Sequence, residues 1–361
     1  MTGAFDIDDL RIRVQAVLDD VLAHQAEVLH AVSPDLDPLV EAAADLNRGG
    51  KRLRPAFCYW GWRGAGGPAD GPDGEAIVRA ASALELFQAA ALIHDDVMDD
   101  SDTRRGMPAI HRRFADLHRG ESWRGEPERF GQAAAILLGD LCLSWSDELL
   151  SGSGLDEAAL ARGRPVFDQM RTELMGGQYL DMLEQARPGS PADAADRARQ
   201  VIRYKSAKYT IEHPLLLGGA LAGGSAQLLA SYSAFGLPLG EAFQLRDDVL
   251  GVFGDPEQTG KPAGDDLREG KRTVLVAFAM QKASSPQRAL MRRYLGDPRL
   301  DAGSVEALRA VIVDTGALDE VERLVESLVA EAAAALDTSS VAGAARDVLS
   351  QLITAATARH T

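Results

Sequence analysis

The chain has 361 residues, 46% hydrophobic and 25% charged, the balance of an ordinary globular protein, which excludes disorder as its main state. Its 38 Lys and Arg stand against 54 Asp and Glu, a formal net charge of −16. Such a surface repels phosphate backbones, so nucleic acid is not an expected partner. An acidic chain still takes an anionic ligand where it gathers its cations, or metal ions, in one cleft.

In chain order the dominant period is helical. Leu10, Val14, Val17, Leu18, Val21 and Leu22 recur at three- and four-residue steps and mark one apolar helix face. The same spacing returns over 78–93, 133–150, 201–217, 226–250 and 305–336. Two-residue alternation is short and isolated, so no sheet is expected and the fold class is all-α. Breaks rich in turn residues fall at 64–74, 119–128, 188–193 and 254–264. None is long enough for a linker between independent domains, and composition does not change across them. One large domain over 1–361 is therefore expected. The amphipathic tail from Ser285 carries no readable motif.

Only Cys58 and Cys142 occur, each in an apolar stretch, which points to a reducing compartment without a disulfide framework. The first residues lack a basic segment followed by an apolar core, so no signal peptide is expected. No apolar run approaches the roughly 18 residues of a membrane span. A cytoplasmic protein without a membrane span is the expectation.

The sharpest feature lies at Asp95-Asp96-Val97-Met98-Asp99-Asp100-Ser101-Asp102, which follows an apolar run. On a helix, Asp95 and Asp99 lie one turn apart with Asp96 beside them, and like charges at that spacing repel unless something compensates. Mg²⁺ does so well, taking carboxylate oxygens together with water and substrate phosphate. The competing reading is a solvated acidic helix end, which the helix dipole disfavours. Gln244-Leu245-Arg246-Asp247-Asp248 repeats the theme about 150 residues later. Together the two acidic helix ends suggest facing walls of one cavity.

The cations fit the same picture. Lys51 and Arg54 follow Gly49-Gly50 within one helical turn, and Arg104-Arg105-Gly106 follows the first acidic cluster. Lys205, Lys261 and Lys271 stand near Gly, Ser or Pro at element boundaries. Each alone reads as a surface charge. Jointly they suit a site for two diphosphates, one held through metal and one held directly, with Arg favouring bidentate contact and Lys a point charge.

These residues resemble, in order, the motifs of the trans-isoprenyl diphosphate synthases, or polyprenyl synthetases, with a pattern nearest to bacterial geranylgeranyl diphosphate synthases. Gly50-Lys51-Arg52-Leu53-Arg54 is similar to the N-terminal element of that family, and Asp95–Asp99 with Arg104-Arg105 to its first aspartate-rich motif. Gly177-Gln178-Tyr179-Leu180-Asp181 and Lys205-Ser206 resemble two further elements. Phe243–Asp248 resembles the second aspartate-rich motif, and Gly260-Lys261-Pro262 the lysine loop after it.

The resemblance implies a single antiparallel helical bundle around a central cavity, usually a homodimer. It implies head-to-tail addition of isopentenyl diphosphate to an allylic diphosphate (dimethylallyl, geranyl or farnesyl). Asp95, Asp96, Asp99, Asp247 and Asp248 would hold Mg²⁺ ions on the allylic diphosphate. Arg104, Lys205, Lys261 and, more weakly, Lys271 would neutralise that group as it leaves. Lys51, Arg54, Gln88 and Arg105 would hold isopentenyl diphosphate, and Ser206 and Gln244 would stabilise developing positive charge. Three positions depart from the pattern: Gly251 replaces a third Asp of the second motif, Ser206 replaces Thr, and Gln88 stands where many members have His.

Product length is read from the helix before Asp95. Ala91, Phe87 and Leu84 share its face, and Ala90 is also small. Small residues at Ala90 and Ala91 leave no floor in the first turn, while Phe87 lies about 12 Å away along the helix. Phe87 is then either a deeper floor or ordinary core, and geranylgeranyl diphosphate is the expected product. A terpene cyclase of the same fold, or a modulatory subunit of a hetero-oligomeric synthase, is the alternative. The retained Lys51, Arg54, Gln88 and Arg105 argue against the first, and the two acidic motifs against the second.

Overall fold

The computed structural model describes residues 9–187, 193–254, 264–297, 299–341 and 343–357. Lys261 lies outside them. The helices are α1 (Leu10–Val32), α2 (Asp37–Asn47), α3 (Leu53–Gly64), α4 (Gly71–Met98), α5 (Ile110–Gly120), α6 (Pro127–Ser151), α7 (Glu157–Ala186), α8 (Ala194–Val201), α9 (His213–Leu221) and α10 (Ala226–Phe253). A π-helix, Ile202–Glu212, joins α8 to α9. Five helices follow: Asp265–Arg268, Val274–Lys282, Ser285–Tyr294, Ala302–Asp314 and Ala317–Thr338; Gly343–Thr357 ends the described chain. The all-α expectation holds, with one correction. Thr103–Arg104 and Met107–Pro108 form a two-stranded antiparallel ladder with Thr103 opposite Pro108. Strands of two residues carry no alternation to read.

The described residues gather into two compact units: the chain up to Arg164 with Leu217–Gly224, and Pro165–Leu216 with the chain from Ser225. The first is built on α4, which packs against α1, α3 and α6. Ile77, Leu84, Leu86, Phe87, Ala90 and Ile93 of α4 are all fully buried. A helix apolar on every side belongs in a core. Contrary to expectation, α4 is long and apolar enough to cross a membrane by length and composition, but 78% of its most apolar window is buried within the protein. Glycines allow close approach in this unit. A Cβ at Gly139 of α6 would meet the His94 ring of α4, at 2.7 Å from Cε1.

In the second unit α10 packs against the π-helix and Ala317–Thr338. Ala242, Leu245, Val249 and Val252 of α10 join Val274, Leu308, Ile312, Val321 and Val325 in one core. Buried Glu241 accepts from Arg199 at 2.8 Å and from Arg203 at 2.9 Å, which ties the α8–π-helix segment to α10. The hydroxyls of Ser225 and Thr273 cap α10 and Val274–Lys282 by accepting backbone N–H groups. The expected helix over 305–336 is two helices, broken where Gly316 takes φ +70°.

The N-terminal motif is anchored by a residue inside it. Arg52 is 4% exposed and pairs with Glu85 of α4, itself 6% exposed. Arg52 also donates to the Asn47 carbonyl and, at 2.6 Å, to Gln15 Oε1. Removing one partner leaves a buried charge, so Glu85→Ala is expected to lower unfolding free energy by about 3–5 kcal/mol. The double variant Arg52→Met with Glu85→Leu should recover much of it. Urea denaturation of the three proteins checks this, and a Glu85→Ala loss within error of zero would refute the anchor.

Candidate active site

The first acidic cluster closes α4. Asp95 and Asp96 are in its last turn, Asp99 is the C-cap, and Asp100 follows at φ +53°. The three sequence candidates differ in setting. Asp96 is 1% exposed, and its Oδ1 accepts from Arg104 Nε at 2.9 Å and from Arg104 Nη2. Asp95 and Asp99 are half-buried, and Asp95 lies 3.6 Å from the same guanidinium. Arg104 therefore compensates the repulsion between the neighbouring carboxylates.

Arg104 is placed by the small ladder, whose turn is Arg105-Gly106. These residues have φ of +54° and +75°. Positive φ at both central positions is the type I′ geometry that matches strand twist in a two-residue hairpin. The turn sends Arg104 to Asp96 and Arg105 to the Leu46 carbonyl, to which it donates at 2.9 Å. A Cβ on Gly50 would lie 4.0 Å from Arg105 Nη1, which puts the N-terminal motif beside it. Lys51 is exposed, and Arg54 and Gln88 are half-buried. Partial desolvation, with the charges of Arg52, Arg54 and Arg104, pulls the Arg105 guanidinium below its ordinary value against the opposing charge of Glu85. Arg52, Arg54, Arg104 and Arg105 thus lie near enough to act on one another, and like charges gathered this way repel.

The second unit holds the remaining candidates. Lys205 and Ser206 lie in the π-helix, a form frequent at functional sites. Lys205 Nζ donates to Asp181 Oδ2 of α7 at 2.6 Å. Gly177 makes this approach possible, since a Cβ there would sit 2.8 Å from Lys205 Cα. Two motifs separated in sequence thus meet. In α10, Asp247 is exposed and Asp248 is buried. Gln244, expected to face developing charge, donates from Nε2 to Asp248 Oδ1 at 2.9 Å and so orients that carboxylate. Burial raises Asp248 well above the usual carboxylate range, with Asp266 and Asp247 adding to it and Gln244 and Lys271 opposing. Lys271 Nζ pairs with Glu269 at 2.6 Å and lies 3.6 Å from Asp266. Arg246 grips Glu322 through both nitrogens, at 2.5 and 2.6 Å, fixing the α10 end to Ala317–Thr338.

Arg52, Glu85, Asp181, Glu322 and Asp266 were not singled out as site residues by sequence. A Glu at 85 inside an otherwise apolar run was the readable sign for one of them. Arg52 and Asp181 lie inside quoted motifs without a role assigned to them, and Glu322 and Asp266 have no local signature.

Among the described residues, no group of three His, Cys, Asp or Glu side chains closes around a metal ion. Mg²⁺ takes one or two carboxylates and completes its shell with water and substrate phosphate. Asp248 Oδ2 is buried with no hydrogen-bond partner among the described residues, an orphan acceptor that a cation would satisfy. On α4, Ala91 is half-buried, whereas Ala90, Phe87 and Leu84 have no accessible surface.

The polyprenyl synthetase family model matches residues 37–312. A solved geranylgeranyl pyrophosphate synthase from Corynebacterium glutamicum, complexed with isoprenyl diphosphate and magnesium, is 39% identical with a TM-score of 0.93; the match covers 98% of this chain and all of that one (100%). The geranylfarnesyl diphosphate synthase of Aeropyrum pernix is 34% identical over 283 residues, 77% of this chain and 80% of that protein. The geranylgeranyl diphosphate synthase of Methanosarcina mazei is 30% identical over 338 residues, 93% of this chain and 92% of that protein.

The Lys205–Asp181 pair yields a direct check. Asp181→Asn removes the charge that holds the ammonium, so Lys205 should react faster with an acylating reagent, read by peptide mass spectrometry. Equal labelling in the two proteins would show that Asp181 does not restrain Lys205.

Proposed function

The chain belongs to the polyprenyl synthetase family of trans-isoprenyl diphosphate synthases and is a prenyltransferase, and we propose that it joins isopentenyl diphosphate head to tail to an allylic diphosphate, ending at geranylgeranyl diphosphate. The observation that carries this reading is the gathering of Arg52, Arg54 and Arg104 around Arg105, near enough for their charges to act on its guanidinium. Isopentenyl diphosphate is an anion of fitting charge. A cyclase has no second diphosphate to hold there.

In this reading Lys51, Arg54, Gln88 and Arg105 bind isopentenyl diphosphate. Asp95, Asp96 and Asp99, and Asp247 and Asp248, hold Mg²⁺ on the allylic diphosphate; Asp95, Asp99 and Asp247 offer the accessible oxygens, and Asp96 positions Arg104. When bound, Mg²⁺ supplies positive charge to the leaving diphosphate. Arg104, Lys205 and Lys271 add theirs, with Lys261 of the lysine loop. The bond from the allylic carbon to the diphosphate oxygen breaks, and the double bond of isopentenyl diphosphate attacks the resulting cation. A proton then leaves to the departed diphosphate. Ser206 contributes its hydroxyl near the developing charge, and Gln244 acts by holding Asp248. The cations hold both reactants in place and stabilise charge that grows only as the bond breaks.

Geranylgeranyl length is supported by the open position at Ala91 and by relatives bearing that name. Below Ala91 on α4, Phe87 and Leu84 are buried, and in this reading they set the floor. The whole chain, 1–361, is read as one synthase domain. A cytoplasmic homodimer completes the proposal: Trp123, Phe130, Ile136 and Leu137 are exposed apolar residues on and before α6 that a second copy would cover.

Purified protein with Mg²⁺, isopentenyl diphosphate and each allylic diphosphate should give a twenty-carbon diphosphate by chromatography. Chelation should cut the rate at least about a hundredfold. Free diphosphate without a longer chain would refute elongation. Ala91→Phe should shorten the product, whereas Ala90→Phe should mainly destabilise, by about 1–3 kcal/mol, because its site is already filled. An unchanged product from a folded Ala91→Phe variant would remove Ala91 from the chain-length pocket.

A further inference from the structure

The segment that carries Lys205 and Ser206 is a π-helix of 11 residues, Ile202–Glu212. This form is rare and usually lasts a single turn, so a run of that length needs support from its neighbours. Two helix faces supply it. On α7, Glu173, Gly177 and Asp181 follow at four-residue steps and share one face. Gly177, in the middle, takes the π-helix backbone, since a Cβ there would lie 2.8 Å from Lys205 Cα. The acid on either side holds a lysine of the π-helix. Asp181 accepts from Lys205 Nζ at 2.6 Å, and Glu173 Oε2 lies 3.1 Å from Lys208 Nζ. On α10, a Cβ at Gly240 would sit 2.7 Å from Ala207 Cα, and one at Gly236 would sit 2.9 Å from Glu212 Cα. Both glycines therefore seat π-helix backbone. Ser233, on the same helix, donates its hydroxyl to Glu212 Oε1.

Lys208 links the two faces. Its Nζ lies 3.3 Å from Glu212 Oε2 as well as 3.1 Å from Glu173. Its carbonyl accepts the N–H of His213, five residues on, which is the hydrogen-bond step of the π form. His213, 2% exposed, completes the group with Nε2 at 3.7 Å from Glu173 Oε2. Glu212 is 3% exposed, and an ion pair in such a place is costly to break. We propose that Lys208, gripped between Glu173 and Glu212, is a positioning residue that locks the π-helix in register and so aims Lys205 and Ser206, three and two residues earlier, at the reacting groups. Desolvation works against the Lys208 ammonium, yet the charges of Glu212 and Glu173 hold it above its ordinary value, so the grip is ionic.

The inference rests on the proposal that Lys205 serves the departing diphosphate, and the test separates the two. Steady-state kinetics with isopentenyl and farnesyl diphosphates, and acylation of Lys205 read by peptide mass spectrometry, are measured on the full chain and four variants. Lys205→Met reports the role of Lys205 itself. Lys208→Met should lower kcat at least about tenfold, the scale of a displaced catalytic group, and leave the KM for isopentenyl diphosphate nearly unchanged. Lys208→Arg keeps a cation between the two carboxylates and should restore most of kcat. Glu173→Gln removes one charge at constant size and supplies the same comparison should Lys208→Met not fold. Lys205 should acylate faster in Lys208→Met and Glu173→Gln, while Lys282, paired with Glu320 on Val274–Lys282, labels as before. A rise shared by Lys282 would mark general loosening and overturn the inference, as would a Lys208→Arg protein no better than Lys208→Met. If Lys205→Met lowers kcat but neither Lys208→Met nor Glu173→Gln changes kcat or Lys205 labelling, the inference is overturned and the proposed function stands. If Lys205→Met leaves kcat unchanged, the role of Lys205 fails, and the inference with it.

Discussion

Everything in this chain is arranged around one electrostatic constraint: carboxylates placed next to each other, and partly out of water, must be compensated. The sequence has an excess of 16 negative charges, yet several of the clustered acids are held by a cation. Arg104 answers Asp95 and Asp96, Lys205 answers Asp181, and Lys271 answers Glu269 and Asp266. Each pairing also fixes a cation in space. The same interaction that makes the acids tolerable positions the groups proposed to receive a leaving diphosphate.

How much of this was legible in the sequence depends on range. The helices were readable because apolar residues at three- and four-residue spacing leave a local record. The acidic motifs were readable because like charges on successive turns are costly and so conspicuous. The role of each acid was not. Asp95, Asp96 and Asp99 look equivalent on a helical wheel, but Asp96 turns into the protein toward Arg104 and is 1% exposed. Which side of a helix is buried is decided by its neighbours, and α5, α6 and the Thr103–Pro108 hairpin are recorded elsewhere in the chain. Gln244 is a similar case. Its donor meets Asp248 one turn later, a contact that spacing permits but does not demand.

The hidden anchors share a physical reason. Arg52 and Glu85 are 33 residues apart, and Arg246 and Glu322 are 76 apart. Neither pair has a sequence signature, because a buried ion pair needs only two opposite charges at the same depth. A charged residue in an apolar run is the one trace it leaves, as Glu85 does. The π-helix is equally unreadable. It arises where α8 and α9 must be joined while Gly177 and Gly240 let α7 and α10 approach the backbone at Lys205 and Ala207.

The pairing of cations with carboxylates also bears on catalysis. A free lysine on a flexible stem would lose side-chain entropy on meeting a diphosphate, up to about 2 kcal/mol. Lys205, held by Asp181 beside a glycine-lined backbone, has met that cost on folding. The remaining question is why the carboxylate partner does not cancel the benefit. A diphosphate carries more charge than one carboxylate, and its charge grows as the carbon–oxygen bond breaks. In the proposed reaction a cation shared with Asp181 or Asp96 would therefore gain more from the transition state than from the bound substrate, which is the condition for accelerating the step rather than merely tightening binding.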